Sequence, residues 1–196
     1  MKEAMAHLIR AMRIAVGIAL VLAVICVGTW YGAQLLEGSD ARAELELRWQ
    51  DSRPSQVPDH FTPGDVIGRI VVPRLNLDAP LVEMADVDDR ENLNKGPAHL
   101  AGSALPGQAG NCVIPGHRTT YTRPFFSLDT MQTGDEVVLI DLARDSYTYR
   151  VAQVLIVEPD DVWVMDPTPE PSVTLIACHP LFSARNRIVV KAVLEK

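Results

Sequence analysis

The chain has 196 residues, enough for one domain of ordinary size with accessory segments, and its hydrophobic fraction of 47% is raised by the N-terminus. A formal net charge of -7 supplies no basic patch for nucleic acid. Cys26, Cys112 and Cys178 are scattered without C-x-x-C spacing, which argues against zinc and redox motifs and fits one functional thiol outside the cytosol.

Residues 1–13 are short and carry Lys2, Arg10 and Arg13. Residues 14–36 then run without a charge, and a helix needs about 20 apolar residues to cross a bilayer, so this stretch reads as one membrane-spanning helix. Trp30 and Tyr31 near its outer end suit an interfacial belt. A buried core helix and a cleaved signal peptide, with Ala41-Arg-Ala43 as the cleavage site, are the competing readings. Arg42, Arg48 and Arg53 after the span balance the cations before it, so charge counting leaves the orientation undecided. Arg10 and Arg13 lie closer to the span, which favours the N-terminus inside. Residues 38–50 set Leu45, Leu47 and Trp49 amid alternating charge, either a short amphipathic helix near the membrane or a solvated stalk. Pro54, Pro58 and Pro63 mark a linker and place the domain boundary near residue 62.

From Asp65 the texture changes. Short apolar or alternating runs cover residues 66–72, 79–82, 111–114, 136–140, 146–158, 173–177 and 188–194, separated by turn residues such as Pro73, Asn76, Pro106-Gly107, Pro115-Gly116 and Gly134-Asp135. That spacing predicts an all-β sandwich or barrel, with a helical turn only over residues 88–94.

The chemistry concentrates near the C-terminus. Residues 173–177 read as a buried strand, and Pro180 soon removes a ladder donor, which leaves Cys178 at the strand's end. Arg187 opens the next apolar run, which is placed to return along the first and bring a guanidinium near the sulfur, favouring the thiolate. Acyl transfer through a thiolate also needs a proton donor for the leaving amine. The candidate is His117, just beyond the short run that Pro115-Gly116 breaks. Cys112 reads as core packing. His99 and His179 with the cysteines match no tight metal spacing, the acidic cluster over residues 86–91 reads as a solvated helix face, and neither metal nor cofactor is expected.

Thr174-Leu-Ile-Ala-Cys178 followed by Arg187-Ile-Val-Val, with Gly116-His-Arg118 upstream, resembles the sortase family of cysteine transpeptidases, most closely classes D and E. The segments Asn94-Lys-Gly-Pro-Ala-His99 and Ser103-Ala-Leu-Pro-Gly-Gln-Ala-Gly-Asn111 extend the resemblance over roughly residues 66–196. One departure is Ala177, where the family carries threonine. The resemblance implies an eight-stranded β-barrel with short helices, preceded by one N-terminal transmembrane helix. It divides the chain into a cytoplasmic N-terminus (1–13), a signal-anchor helix (14–36), a stalk (37–62) and an external catalytic domain (63–196).

It further implies that Cys178, His117 and Arg187 are catalytic, as nucleophile, acid–base and oxyanion partner. Ala177, Arg118 and His179 are the candidate substrate-binding residues, Arg118 being either structural or substrate-facing. The implied partners are surface proteins or pilins with a C-terminal sorting signal of the Leu-x-x-Thr-Gly kind. The implied amine acceptor is a peptidoglycan precursor or a pilin lysine. A surface cysteine peptidase that uses water, and a non-catalytic membrane-tethered β domain that binds wall proteins, are the rival readings.

Overall fold

The computed structural model describes residues 2–52, 58 and 60–195, apart from the side chains of residues 2–4, 6 and 8. Arg53 and Pro54, used above in the charge comparison and the linker reading, lie outside the described residues, as does the side chain of Lys2. One helix, α1 (Lys2–Asp51), precedes eight strands: β1 (Val66–Val72), β2 (Leu77–Met84), β3 (Ala98–Leu100), β4 (Asn111–Pro115), β5 (Glu136–Asp141), β6 (Ser146–Val157), β7 (Ser172–His179) and β8 (Asn186–Leu194). A short helix, α2 (Arg90–Lys95), lies between β2 and β3.

The strands form one sheet in the order β3-β2-β1-β5-β6-β8-β7-β4. It curls until β4 approaches β3, where the Ala104 amide donates to the Asn111 carbonyl at 3.1 Å. This near-barrel is the all-β architecture expected from the sequence, with the expected eight strands. Strand β3 was not foreseen, because three residues are too few to show an alternation. Most pairs are antiparallel, but β2–β3 and β4–β7 are parallel. The interior is filled from every strand, with Ile70, Leu81, Ile114, Leu139, Leu175 and Val190 fully buried.

Residues 9–30 of α1 are exposed, as suits an apolar segment long enough to cross a bilayer. The sequence reading ended this helix at Leu36 and treated residues 38–50 separately; the structure runs both as one helix, which docks on the barrel. Leu45 and Trp49 are buried against Val66, Val82, Met84, Ala98 and Leu142. Burying side chains of this kind stabilises by roughly 1.5–3 kcal/mol each. Polar contacts flank them. Arg69 donates to both carboxylate oxygens of Glu46 at 3.0 and 2.9 Å, and Arg42 donates to the Asp78 carbonyl at 2.9 Å. The Arg144 guanidinium stacks 3.4 Å over the Trp49 ring and donates to the Trp49 carbonyl at 2.7 Å. At Gly38 an added Cβ would stand 2.5 Å from the Tyr121 carbonyl carbon, so only glycine lets helix and loop approach this closely.

Candidate active site

The site is built where three strands end together. In the antiparallel pair β7–β8, Cys178 stands directly opposite Arg187. Directly opposed residues have Cα atoms about 4.5–5.5 Å apart with side chains on the same face. On the other side of β7, β4 runs parallel, with Pro115 in register with Ile176, and the Gly116 amide continues the ladder to the Ile176 carbonyl at 3.0 Å. His117 and Cys178 therefore follow their paired residues by equal steps at the same sheet edge. All three line one groove of about 560 Å³, together with Asn94, Tyr121 and Ala177.

The groove has two walls. One comes from the segment around α2, including Asp88, Arg90, Leu93, Asn94 and Leu100; the other is the β6–β7 connection, including Glu158, Val162, Val164 and Met165. Buried Asn111 pins that connection, donating from its side-chain amide to the carbonyls of Val164 and Asp166 at 3.2 and 3.1 Å and accepting from Thr174 Oγ1 at 2.7 Å.

His117 is half-buried and held from two directions. Its Nε2 lies 2.8 Å from Asn94 Oδ1, and its ring centroid is 5.0 Å from that of Tyr121. Burial, reinforced by the nearby Arg90 guanidinium, pushes its pKa down to about 4. Arg187 donates from Nη1 to the carbonyls of Ala184 and Asn186 at 3.0 and 3.1 Å. A guanidinium has five donors, so these two bonds leave others for a ligand in the groove.

The substrate-binding candidates divide. Ala177 lines the groove, and at 3% exposure it belongs to the core as well. Arg118 and His179 stand outside its lining, and Arg118 takes the structural of the two roles the sequence left open. Arg118 turns inward and is buried, donating to the carbonyls of Phe126 at 3.2 Å and Cys178 at 3.5 Å and pairing with Asp129 at 2.6 Å. His179 Nδ1 accepts from Arg118 Nη1 at 2.9 Å. One guanidinium thus ties the loop after His117 to the backbone of Cys178. We expect Arg118→Ala to cost on the order of 3 kcal/mol, because it strands carbonyls its fork satisfied, and Arg118→Lys to recover little of that. Denaturant midpoints check both.

Cys112 is buried in the core. Beside it lies a histidine the sequence left without a role. His99 sits in register with Glu83 across the parallel β2–β3 pair, its Nδ1 2.6 Å from the carboxylate, both groups buried. Burial opposes charge on His99, but the neighbouring Cys112 sulfur and the Glu83 carboxylate outweigh it and push the pKa up to about 10. The two histidines act on stability from opposite sides. Between pH 6.5 and about 10 the folded chain holds a proton on His99 that the unfolded chain releases, so stability falls as pH rises. Between 6.5 and about 4 the unfolded chain protonates at His117 and the folded chain does not, so stability falls as pH drops. Unfolding midpoints measured against pH should peak near neutrality; a midpoint still climbing through the alkaline range would contradict the charged His99.

An eight-stranded near-barrel that gathers a cysteine, a histidine and an arginine at one mouth defines a class, the β-barrel with a thiol-lined groove. Residues 70–195 match the family model described as the Sortase domain, and the chain belongs to the sortase family. It is 28% identical over 169 residues to Sortase SrtE1 of Streptomyces coelicolor, covering 79% of this chain and 47% of that protein. It is 31% identical over 124 residues to Sortase D of Bacillus subtilis, covering 63% and 59%. The chain thus spans about half to three fifths of the length of these curated relatives. Among solved structures, sortase E from Streptomyces avermitilis superposes with a TM-score of 0.59 at 32% identity, covering 69% of this chain and 91% of that one. The Clostridium perfringens Sortase D5 transpeptidase gives 0.67 at 23% identity, covering 81% and 98%, a likeness of fold.

Proposed function

We propose that the chain is a membrane-anchored cysteine transpeptidase that cleaves a C-terminal sorting signal of the Leu-Pro-x-Thr-Gly or Leu-Ala-x-Thr-Gly kind and transfers the protein to an amine. The observation that carries this reading is the strand register that brings Cys178, Arg187 and His117 to one groove. Cys178 Sγ, as thiolate, attacks the threonine carbonyl carbon. The oxyanion that develops accepts hydrogen bonds from Arg187, which strengthen as charge builds. The Thr–Gly C–N bond then breaks, His117 as imidazolium protonates the departing glycine amine, and a thioester remains on Cys178. An incoming amine gives a proton to His117, attacks the thioester and expels the thiolate. That amine belongs to a peptidoglycan precursor or a pilin lysine.

The apolar stretch of α1 serves as a single-pass anchor with the N-terminus inside, so the barrel works outside the cell membrane. With His117 pushed down to about 4, few free molecules carry the imidazolium at neutral pH, and a bell-shaped rate profile is expected. The test incubates the full chain in nanodiscs with a panel of sorting peptides, reading the Cys178 adduct by mass and the products with and without a glycine-type amine. An amide product that grows with amine supports transpeptidation. Carboxylate product alone makes the protein a peptidase, and no adduct with any peptide removes the enzyme reading.

A further inference from the structure

The order in which α1 meets the barrel fixes which end of the barrel lies nearest the apolar stretch. Tyr31 Oη donates to the Thr119 carbonyl at 2.9 Å, Gly38 abuts Tyr121 and Thr122, and Arg42 reaches the start of β2. Further on, Arg48 donates to the Gly64 carbonyl at 3.3 Å, and the Trp49 carbonyl accepts from Arg144 in the β5–β6 turn. The loop after His117 is thus met first and the β5–β6 turn last. Strand polarity agrees. The end met first holds the C-termini of β4 and β7 and the N-terminus of β8, so the loops 119–127 and 180–185 share one rim.

Tyr31 lies five residues inside the apolar stretch that ends at Leu36, roughly 7.5 Å along a helix. If α1 spans the membrane, the Tyr31 hydroxyl and Thr119 therefore lie near the boundary between the acyl chains and the headgroups. The rim is composed for that depth. Phe126, Leu181 and Phe182 are 41%, 37% and 76% exposed, and none of them lines the groove. Arg123 is exposed with its guanidinium 5.7 Å from the Phe126 ring, and exposed Arg185 stands on the neighbouring loop. Tyr121, Arg123 and Phe182 have φ of 53°, 47° and 61°, a left-handed backbone that is costly for bulky side chains. Exposed Val162 and Trp163 lie on the β6–β7 connection with Glu158, Asp160 and Asp161, three carboxylates against the single ammonium of Lys191 5.1 Å over the Trp163 ring, a balance that an anionic surface repels.

We propose that the rim formed by residues 119–127 and 180–185 docks on the anionic bilayer that carries α1, with Phe126, Leu181 and Phe182 entering the headgroup region and Arg123 and Arg185 meeting lipid phosphates. Apolar and basic groups together are what interfacial binding uses. The proposal rests on the membrane-anchor reading above.

The test uses the full chain in nanodiscs of phosphatidylcholine and phosphatidylglycerol brominated on the acyl chains, which quench nearby indoles. Trp30, in the apolar stretch, reports whether α1 enters the bilayer. Phe182→Trp adds a reporter at the rim, and Val193→Trp adds one near the far end of β8, where Val193 pairs with Arg150. The expected result is quenching of Trp30, additional quenching in Phe182→Trp that weakens when phosphatidylglycerol is omitted, and none added by Val193→Trp. Quenched Trp30 with equal, unquenched signals from the two introduced indoles overturns rim docking and leaves the anchor standing. Unquenched Trp30 overturns the anchor and the rim proposal together. As a second measurement, the combined Phe126→Ser, Leu181→Ser and Phe182→Ser variant should turn over a soluble sorting peptide like wild type and a bilayer-anchored one more slowly; equal rates on both overturn the proposal.

Discussion

Replacing Cys178 by alanine is expected to eliminate the acyl adduct and to lower transpeptidation at least roughly a thousandfold, the scale on which losing a nucleophile acts. The site has no substitute thiol. Cys112 is in the core and Cys26 lies on the exposed apolar stretch of α1, so neither lines the groove. Cys178 is partly exposed at the end of β7, and its backbone carbonyl is held by Arg118. The substitution removes one sulfur from a groove wall and leaves the strand pairing untouched, so the variant should keep the wild-type unfolding midpoint. Mass detection of the thioester together with product assay checks the result, and retained transpeptidation by Cys178→Ala would remove the mechanism.

Arg187→Ala should give the second largest loss, about 100- to 1,000-fold in kcat, the usual consequence of deleting one oxyanion donor. Arg187 lines the groove from the position opposite Cys178, and its resting bonds to Ala184 and Asn186 leave donors to spare. Because the interaction strengthens only as the carbonyl gains charge, kcat should fall more than KM rises. Arg187→Lys keeps the charge without the planar fork and should recover part of the loss. Single-turnover acylation rates are the measurement. An unchanged acylation rate in Arg187→Ala would remove Arg187 from this role, and a change confined to KM would make it a substrate clamp.

Much of this arrangement was legible in the chain. Pro180 after the run ending in Cys178, and Arg187 before the next run, located two strand ends, and one reversal between them sets the register. Turn residues at regular intervals carried the barrel. The helix boundary was not legible, because Gly38-Ser39-Asp40 looks like a break. There the glycine is a packing notch for the Tyr121 backbone, and docking of Leu45 and Trp49 supports the helix beyond it. Arg118 was not legible either, since adjacency to His117 says nothing about which way each side chain turns. His117 meets the groove, while Arg118 turns into the interior, where backbone carbonyls need donors. Asn94 stood in a segment already singled out, but its bond to His117 spans 23 residues that no local pattern connects. The Glu83–His99 pair depends on a parallel strand of three residues, too short for sequence to reveal.

The unbroken course of α1 from the apolar stretch into its seat on the barrel has a bearing on selectivity. Held by that rod, the mouth of the groove stands at a set height and tilt relative to the lipid, if α1 crosses it. On the proposed function, a substrate tethered in the same leaflet would have to present its scissile bond at that stand-off, and the length of the spacer between its membrane segment and the sorting pentapeptide would become a criterion of choice independent of the pentapeptide's letters.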